Sequence, residues 1–119
     1  MLPGQFAVCR LDPAATWPDW ARGNFVSMTA TEDELSVVCA AASVPSEIVA
    51  EREWCVLKVV GPFAFTTVGV LASMTTPLAQ AGISLLAIAT YDTDYLLVKN
   101  AVLEKAIAAL TAAGHARVE

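Results

Sequence analysis

Ala81-Gly82-Ile83-Ser84-Leu85-Leu86-Ala87-Ile88-Ala89-Thr90-Tyr91-Asp92-Thr93-Asp94-Tyr95-Leu96-Leu97-Val98 contains a helix stop, an apolar strand, a polar turn and a second apolar strand in succession. Gly82 is placed to close a helix in the left-handed conformation, which a residue without Cβ adopts at little cost. Ile83 to Ala89 and Tyr95 to Lys99 then read as strands. The run Thr90 to Asp94 between them favours a turn, because Thr and Asp side chains bond their own backbone.

Upstream of Gly82, the apolar residues Val68, Leu71, Ala72, Leu78 and Ala79 fall at helical spacing, which predicts a helix over 68–81. Pro77 interrupts that pattern and predicts a kink or two shorter pieces. Farther back, Trp54 to Val60 is a strand-like run ended by Gly61-Pro62. Downstream, Leu103, Ile107 and Leu110 lie on one face of a helix over 103–113 that Gly114 ends. The second half therefore reads β-α-β-β-α.

The first half carries a fainter version of the same order. Phe6 to Leu11 reads as a buried strand closed by Asp12-Pro13. Thr16 to Gly23 supports a short helix at best, with Thr16 as cap and Gly23 as stop. Phe25 to Thr31 and Leu35 to Ala40 read as a hairpin around Glu32-Asp33-Glu34. Residues 41–53 fit a short helix or a connecting loop. The run Met28 to Val38 also matches Ile88 to Val98, sixty positions on, in its order of apolar, polar and acidic residues. An internal duplication is expected on that basis, with 1–53 a degenerate first half and 54–119 the second domain.

Composition limits the function. The chain has 119 residues, room for one core or two half-size units sharing one. Hydrophobic residues make up 56% and charged residues 16%, more apolar material than a monomer of this size easily covers, so a subunit interface is expected. No apolar run approaches the roughly 18 residues of a spanning helix, and the first residues lack the pattern of an export signal. A cytoplasmic protein is expected, with no membrane partner. A net charge of −5 with seven scattered Lys and Arg argues against nucleic acid. Cys9, Cys39 and Cys55 lie apart in apolar runs, where reduced thiols pack as small hydrophobes.

Catalytic constellations are missing. His115, the only histidine, follows a helix-ending glycine near the chain terminus, where a mobile tail is expected rather than a catalytic pocket. No Cys-x-x-Cys or His-Glu-x-x-His spacing occurs, and no glycine-rich phosphate loop. Neither an enzyme nor a resident metal or cofactor is expected. Trp17, Trp20 and Trp54 read as core or interface filling.

A binding site is more legible. The amino terminus of the helix over 68–81 falls at Thr66, Thr67, Val68 and Gly69, where unbonded N–H groups and the helix dipole suit a carboxylate. Gly69 permits close approach of a ligand to the backbone. Asp94 is the preferred acid for a ligand ammonium. The plainer roles are helix capping for Thr66 or Thr67 and a solvated turn for Asp92 or Asp94.

With Gly61-Pro62, the helix from Val68, Ala81-Gly82-Ile83-Ser84 and Thr90 to Tyr95, residues 61–114 resemble an ACT domain. The whole chain resembles short tandem ACT proteins related to aspartate kinase regulatory regions and to arginine-sensing ACT proteins. That resemblance implies an α+β, ferredoxin-like βαββαβ fold in two ACT-like halves, with antiparallel sheets and helices on one face. It further implies a homodimer and regulatory binding of an amino acid or similar metabolite between ACT units; the alternatives are a dimerisation module without ligand and a small enzyme of ferredoxin-like fold. By the family pattern, the counterparts of Thr67, Gly69, Thr90, Tyr91 and Asp94 contact ligand. In the arginine-sensing relatives the position matching Thr67 is acidic, so its replacement by threonine argues against arginine.

Overall fold

The computed structural model describes residues 1–59 and 69–115. The chain divides into two compact units, one of residues 3–54 and one of residues 1–2 with 55–119.

The first unit is built from β1 (Phe6–Leu11), β2 (Ser27–Ala30), β3 (Leu35–Ala40) and the start of β4 (Ala50–Lys58), in the spatial order β2-β3-β1-β4. The pairs β1/β3, β2/β3 and β1/β4 are all antiparallel. Because side chains alternate along a strand, Ala7 and Cys9 of β1 share a face with Leu35, Val37 and Cys39 of β3. Together with Val44 they form the unit's core, against which Trp20, Ala21 and Ile48 pack. On the other face Phe6 meets Phe25 edge to face, with ring centroids 6.2 Å apart.

The described residues of this unit contain no α-helix, so the helical part of the fainter first-half pattern is absent. Between β1 and β2 the chain is tied into turns. The Asp12 carboxylate accepts the Ala14 amide at 2.8 Å, and the Arg22 carbonyl accepts the Ala40 amide at 2.9 Å. Pro13 and Pro18 have no N–H for a helical ladder, and Trp20 and Ala21 pack on the core without one. Of residues 41–53, only Ala41–Ser43 form a 3-10 turn, and β4 begins at Ala50, earlier than the apolar run from Trp54 indicates. Trp17 is 71% exposed and takes no part in the core of its unit, whereas Trp54 is buried.

A bulge interrupts β4 opposite β1. Phe6 pairs with Trp54 but Val8 pairs with Glu51, so one extra residue sits on the β4 side. Glu53 takes it up with φ at 71°, the only non-glycine among the described residues with positive φ.

In the second unit the strand order is β4-β6-β5, with α1 (Val70–Gln80), β5 (Leu86–Ala89), β6 (Asp94–Lys99) and α2 (Leu103–Ala112). The expected β-α-β-β-α order is present here. Leu96 and Val98 of β6 form a core with Leu78, Ile83 and Ala106, joined by Leu57, Leu71, Met74, Leu103 and Leu110. Both helices thus cover one face of the sheet, an α+β arrangement of the ferredoxin-like kind. Each is closed in the same way: the amide of the residue after the left-handed glycine reaches back to a carbonyl of the last turn. Ile83 bonds Leu78 at 3.0 Å beyond Gly82, and His115 bonds Leu110 at 3.0 Å beyond Gly114.

Two expectations about α1 change. It is a single helix that runs through Pro77, not two pieces. Its core face is Leu71, Met74 and Leu78, whereas Ala72 and Ala79 are exposed. Alanine scores as apolar in a periodicity reading but contributes little buried area, so the larger side chains set the rotation of the helix.

Candidate functional site

The amino terminus of α1 is built on Gly69, whose left-handed backbone (φ 81°) forms the N-cap. The first bond of the helical ladder runs from the Ser73 amide to the Gly69 carbonyl at 2.9 Å. Amides 70–72 precede it and have no helix carbonyl to bond, the usual condition of a helix start. A Cβ built on Gly69 would meet no atom of the described residues within 4 Å. The helix begins at Val70, two residues later than the periodicity indicates. Capping therefore falls to Gly69; Thr66, Thr67 and Val68 lie outside the described residues.

The second element is the four-residue turn between β5 and β6. The Thr90 amide and hydroxyl both donate to the Thr93 carbonyl, at 2.8 and 2.9 Å, and the Thr93 amide returns to the Thr90 hydroxyl at 3.3 Å. This network fixes the turn from which Tyr91 projects, 81% exposed. Asp94, half-buried, follows as the first residue of β6, opposite Ala89. In the first unit the turn between β2 and β3 ends in the same way, but Leu35 stands where Asp94 does, opposite Ala30 and 2% exposed.

Val59 anchors the Thr90 turn. Its amide donates to the Asp94 carbonyl at 2.9 Å and its carbonyl accepts the Thr93 hydroxyl at 2.7 Å. Thr90, Tyr91 and Asp94 are thus gathered in one hairpin, fastened to Val59 just past the end of β4. Val59 and Thr93 were not singled out from the sequence; the only signal for Thr93 is its place in the polar run. Among the described residues there is no group of three or more His, Cys, Asp or Glu placed to hold a metal ion.

This arrangement, a strand, a helix opened by a left-handed glycine and a polar hairpin, coincides with a match of residues 49–112 to the ACT domain family. The chain belongs to the ACT-domain family. A second family model, described as an N-terminal domain, matches residues 4–47. The chain is 39% identical to an Agobacterium tumefaciens protein of known structure, over 97% of this chain and 87% of that one, with a TM-score of 0.91. It shares its fold with a Vibrio cholerae protein described as a possible transport protein, at 20% identity over 96% of this chain and 87% of that one, with a TM-score of 0.77. The fold also recurs in Clostridium acetobutylicum aspartate kinase, at 14% identity and a TM-score of 0.70. There 92% of this chain is matched but only 32% of the kinase. No curated protein matches the chain.

As an ACT protein, the chain falls among regulatory ligand-binding modules. Cys9, Cys39 and Cys55 are reduced and buried. Burial, with the Cys39 thiol beside it, pushes the Cys9 thiol up from 9.0 to about 11, and the Arg52 guanidinium offsets part of that rise. Burial raises Cys55 as well. Thiols held in the protonated form are poor nucleophiles and poor metal ligands. His115 is not a loose tail, because its Nε2 lies 2.8 Å from the Ser73 carbonyl. No helix among the described residues is long and apolar enough to cross a membrane.

Proposed function

We propose that this ACT protein binds an amino acid or a similar small metabolite, acts as a homodimer and regulates another protein without catalysing a reaction. The observation that carries the reading is Gly69: a left-handed residue at a helix start, with no other described residue within 4 Å of where its Cβ would be. In an ACT unit such a start suits a ligand carboxylate, which gains from unbonded amides and the helix dipole. The ligand ammonium is assigned to Asp94, with Thr66, Thr67, Val68, Thr90 and Tyr91 as further contacts. Residues 1–53 act as a degenerate first half, since Leu35 offers no charge at the place of Asp94.

The dimer is supported by β5. It lies at the end of the strand order, and Leu86, Ala87 and Ala89 on it are exposed. No charged residue or proline occurs from Ala81 to Tyr91. An edge without such protection is a ready template for pairing with another strand.

The test is thermal unfolding with each of the twenty amino acids at millimolar concentration. A ligand at a hundred times its Kd stabilises the native state by about 2.7 kcal/mol, which raises the midpoint by roughly 8–15 °C for a chain of this size. A rise with one or a few amino acids supports the reading and names the ligand. No rise with any of them, on folded and ligand-free protein, overturns amino-acid binding and favours a module whose work is assembly through β5.

A further inference from the structure

Pro77 removes one bond from α1. In a helix the amide of residue i+4 bonds the carbonyl of residue i, so the amide due to the Ser73 carbonyl would come from residue 77. Proline has no N–H, and its ring also presses the carbonyl four residues back out of line. The structure places the His115 Nε2 at 2.8 Å from that same oxygen. A carbonyl can only accept, so Nε2 carries the hydrogen.

The position of the imidazole follows from the end of α2. Gly114 turns left-handed at φ 96°, and the His115 amide bonds back to Leu110 at 3.0 Å. This closure fixes the backbone of His115 at the end of one helix while its ring reaches the other. Ser73 in turn bonds Gly69 through its amide at 2.9 Å. A chain of contacts therefore runs from α2 through His115 and Ser73 to Gly69, the residue that opens α1.

We propose that His115 stands in for the backbone N–H that Pro77 lacks and thereby holds the first turn of α1 in place. It is a positioning residue, not a catalytic one. Its consequence for ligand binding rests on the reading of that turn as the carboxylate site, but the latch itself does not. Both the neutral Nε2–H tautomer and the imidazolium present a hydrogen to the Ser73 carbonyl.

The experiment is a double-mutant cycle on the full chain without ligand, using His115→Ala, Pro77→Ala and the double variant. Alanine at 77 restores an amide to the Ser73 carbonyl, so the loss of His115 should then matter less. His115→Ala is expected to lower Tm by about 3–6 °C in the native background and by less than half of that beside Pro77→Ala. His115→Gln, whose amide can also donate, should recover most of the loss. Hydrogen exchange at the Ser73 amide should accelerate about tenfold in His115→Ala and return toward the native rate in the double variant. Nitrogen shifts of the neutral imidazole should report the Nε2–H tautomer. Equal losses of Tm in the two backgrounds, an unchanged Ser73 exchange rate, or a ring protonated on Nδ1 would each overturn the proposal. Because no ligand is involved, these outcomes stand apart from those of the amino-acid screen.

Discussion

Thr31 and Thr90 hold the same place in two hairpin turns built alike. In each, the threonine amide donates to the carbonyl three residues on, at 2.9 Å for Thr31 to Glu34 and 2.8 Å for Thr90 to Thr93. In each, the hydroxyl joins the same carbonyl and accepts an amide from within the turn. The threonine hydroxyl supplies what a hairpin of four residues otherwise leaves to water.

Replacing either threonine by alanine should therefore cost about 1 kcal/mol of stability, with serine close to neutral at both. Urea unfolding of the four single variants checks this. A loss at Thr90 alone would show that the two turns are not energetically equivalent.

Gly23 and Gly69 invite the same substitution with different outcomes. At Gly69 an added methyl meets none of the described residues, so alanine is expected to carry chiefly the strain of positive φ, about 1 kcal/mol. At Gly23 (φ 129°) the added Cβ would lie 2.8 Å from the Ala40 Cβ, which forces β3 or its neighbour to shift. Gly23→Ala should be the more damaging by at least about 1 kcal/mol, measured as the difference in urea midpoint.

Glu53 occupies the left-handed backbone of the β4 bulge, where a side chain is strained. Its side chain is exposed, so little packing is lost with it. Glu53→Gly is expected to raise stability by up to about 1 kcal/mol and Glu53→Val to lower it by at least as much. Thermal unfolding of both variants reads the two signs. A destabilising glycine would mean that the side chain contributes more than its backbone costs.

Cys9 makes stability depend on alkaline pH. Its thiol titrates near 11 in the folded protein and near 9.0 when unfolded. Below pH 9 both states keep the proton and the contribution is complete. Between 9 and 11 the unfolded state loses its proton first, so stability falls by an amount on the order of 2 kcal/mol. Cys9→Ala should flatten that decline while lowering stability at neutral pH through lost packing; denaturant unfolding from pH 7 to 11 separates the two effects. A thiol reagent at neutral pH should find no reactive cysteine until the protein unfolds.

Asp94→Asn tests the proposed ammonium partner without disturbing the turn, whose bonds run between Thr90 and Thr93, or the Val59 anchor, which uses the Asp94 carbonyl. For whichever amino acid raises Tm, affinity should fall at least tenfold while the ligand-free Tm changes by less than about 2 °C. Unchanged affinity in a calorimetric titration would remove Asp94 from the site.

The second half was legible because its signals agree. Gly82 and Gly114 mark the helix ends, the apolar runs alternate with polar turns, and the family pattern follows the same residues. The first half misleads at Thr16 to Gly23, where cap and stop signals surround Pro18 and a loop with two tryptophans takes the place of a helix. The sixty-position repeat is one residue out: Ala30-Thr31 corresponds in its bonding to Ala89-Thr90, fifty-nine positions apart. Acidic residues set the sequence match, but the threonine bonds set the turn. Gly69 was legible as a helix start. The Val59 anchor and the His115 contact were not, because both join residues far apart in sequence through backbone carbonyls, which leave no trace in side-chain pattern.

The contrast between Leu35 and Asp94 bears on stoichiometry. A chain with two similarly made hairpins would be counted as having two binding places, and its dimer four. Leu35 is committed to the core of its unit, so only one of the two hairpins places an acid at the first residue of its second strand. If the proposed site and dimer hold, saturation is accordingly expected at one ligand per chain and two per dimer, with any cooperativity arising between subunits rather than between the two halves of one polypeptide.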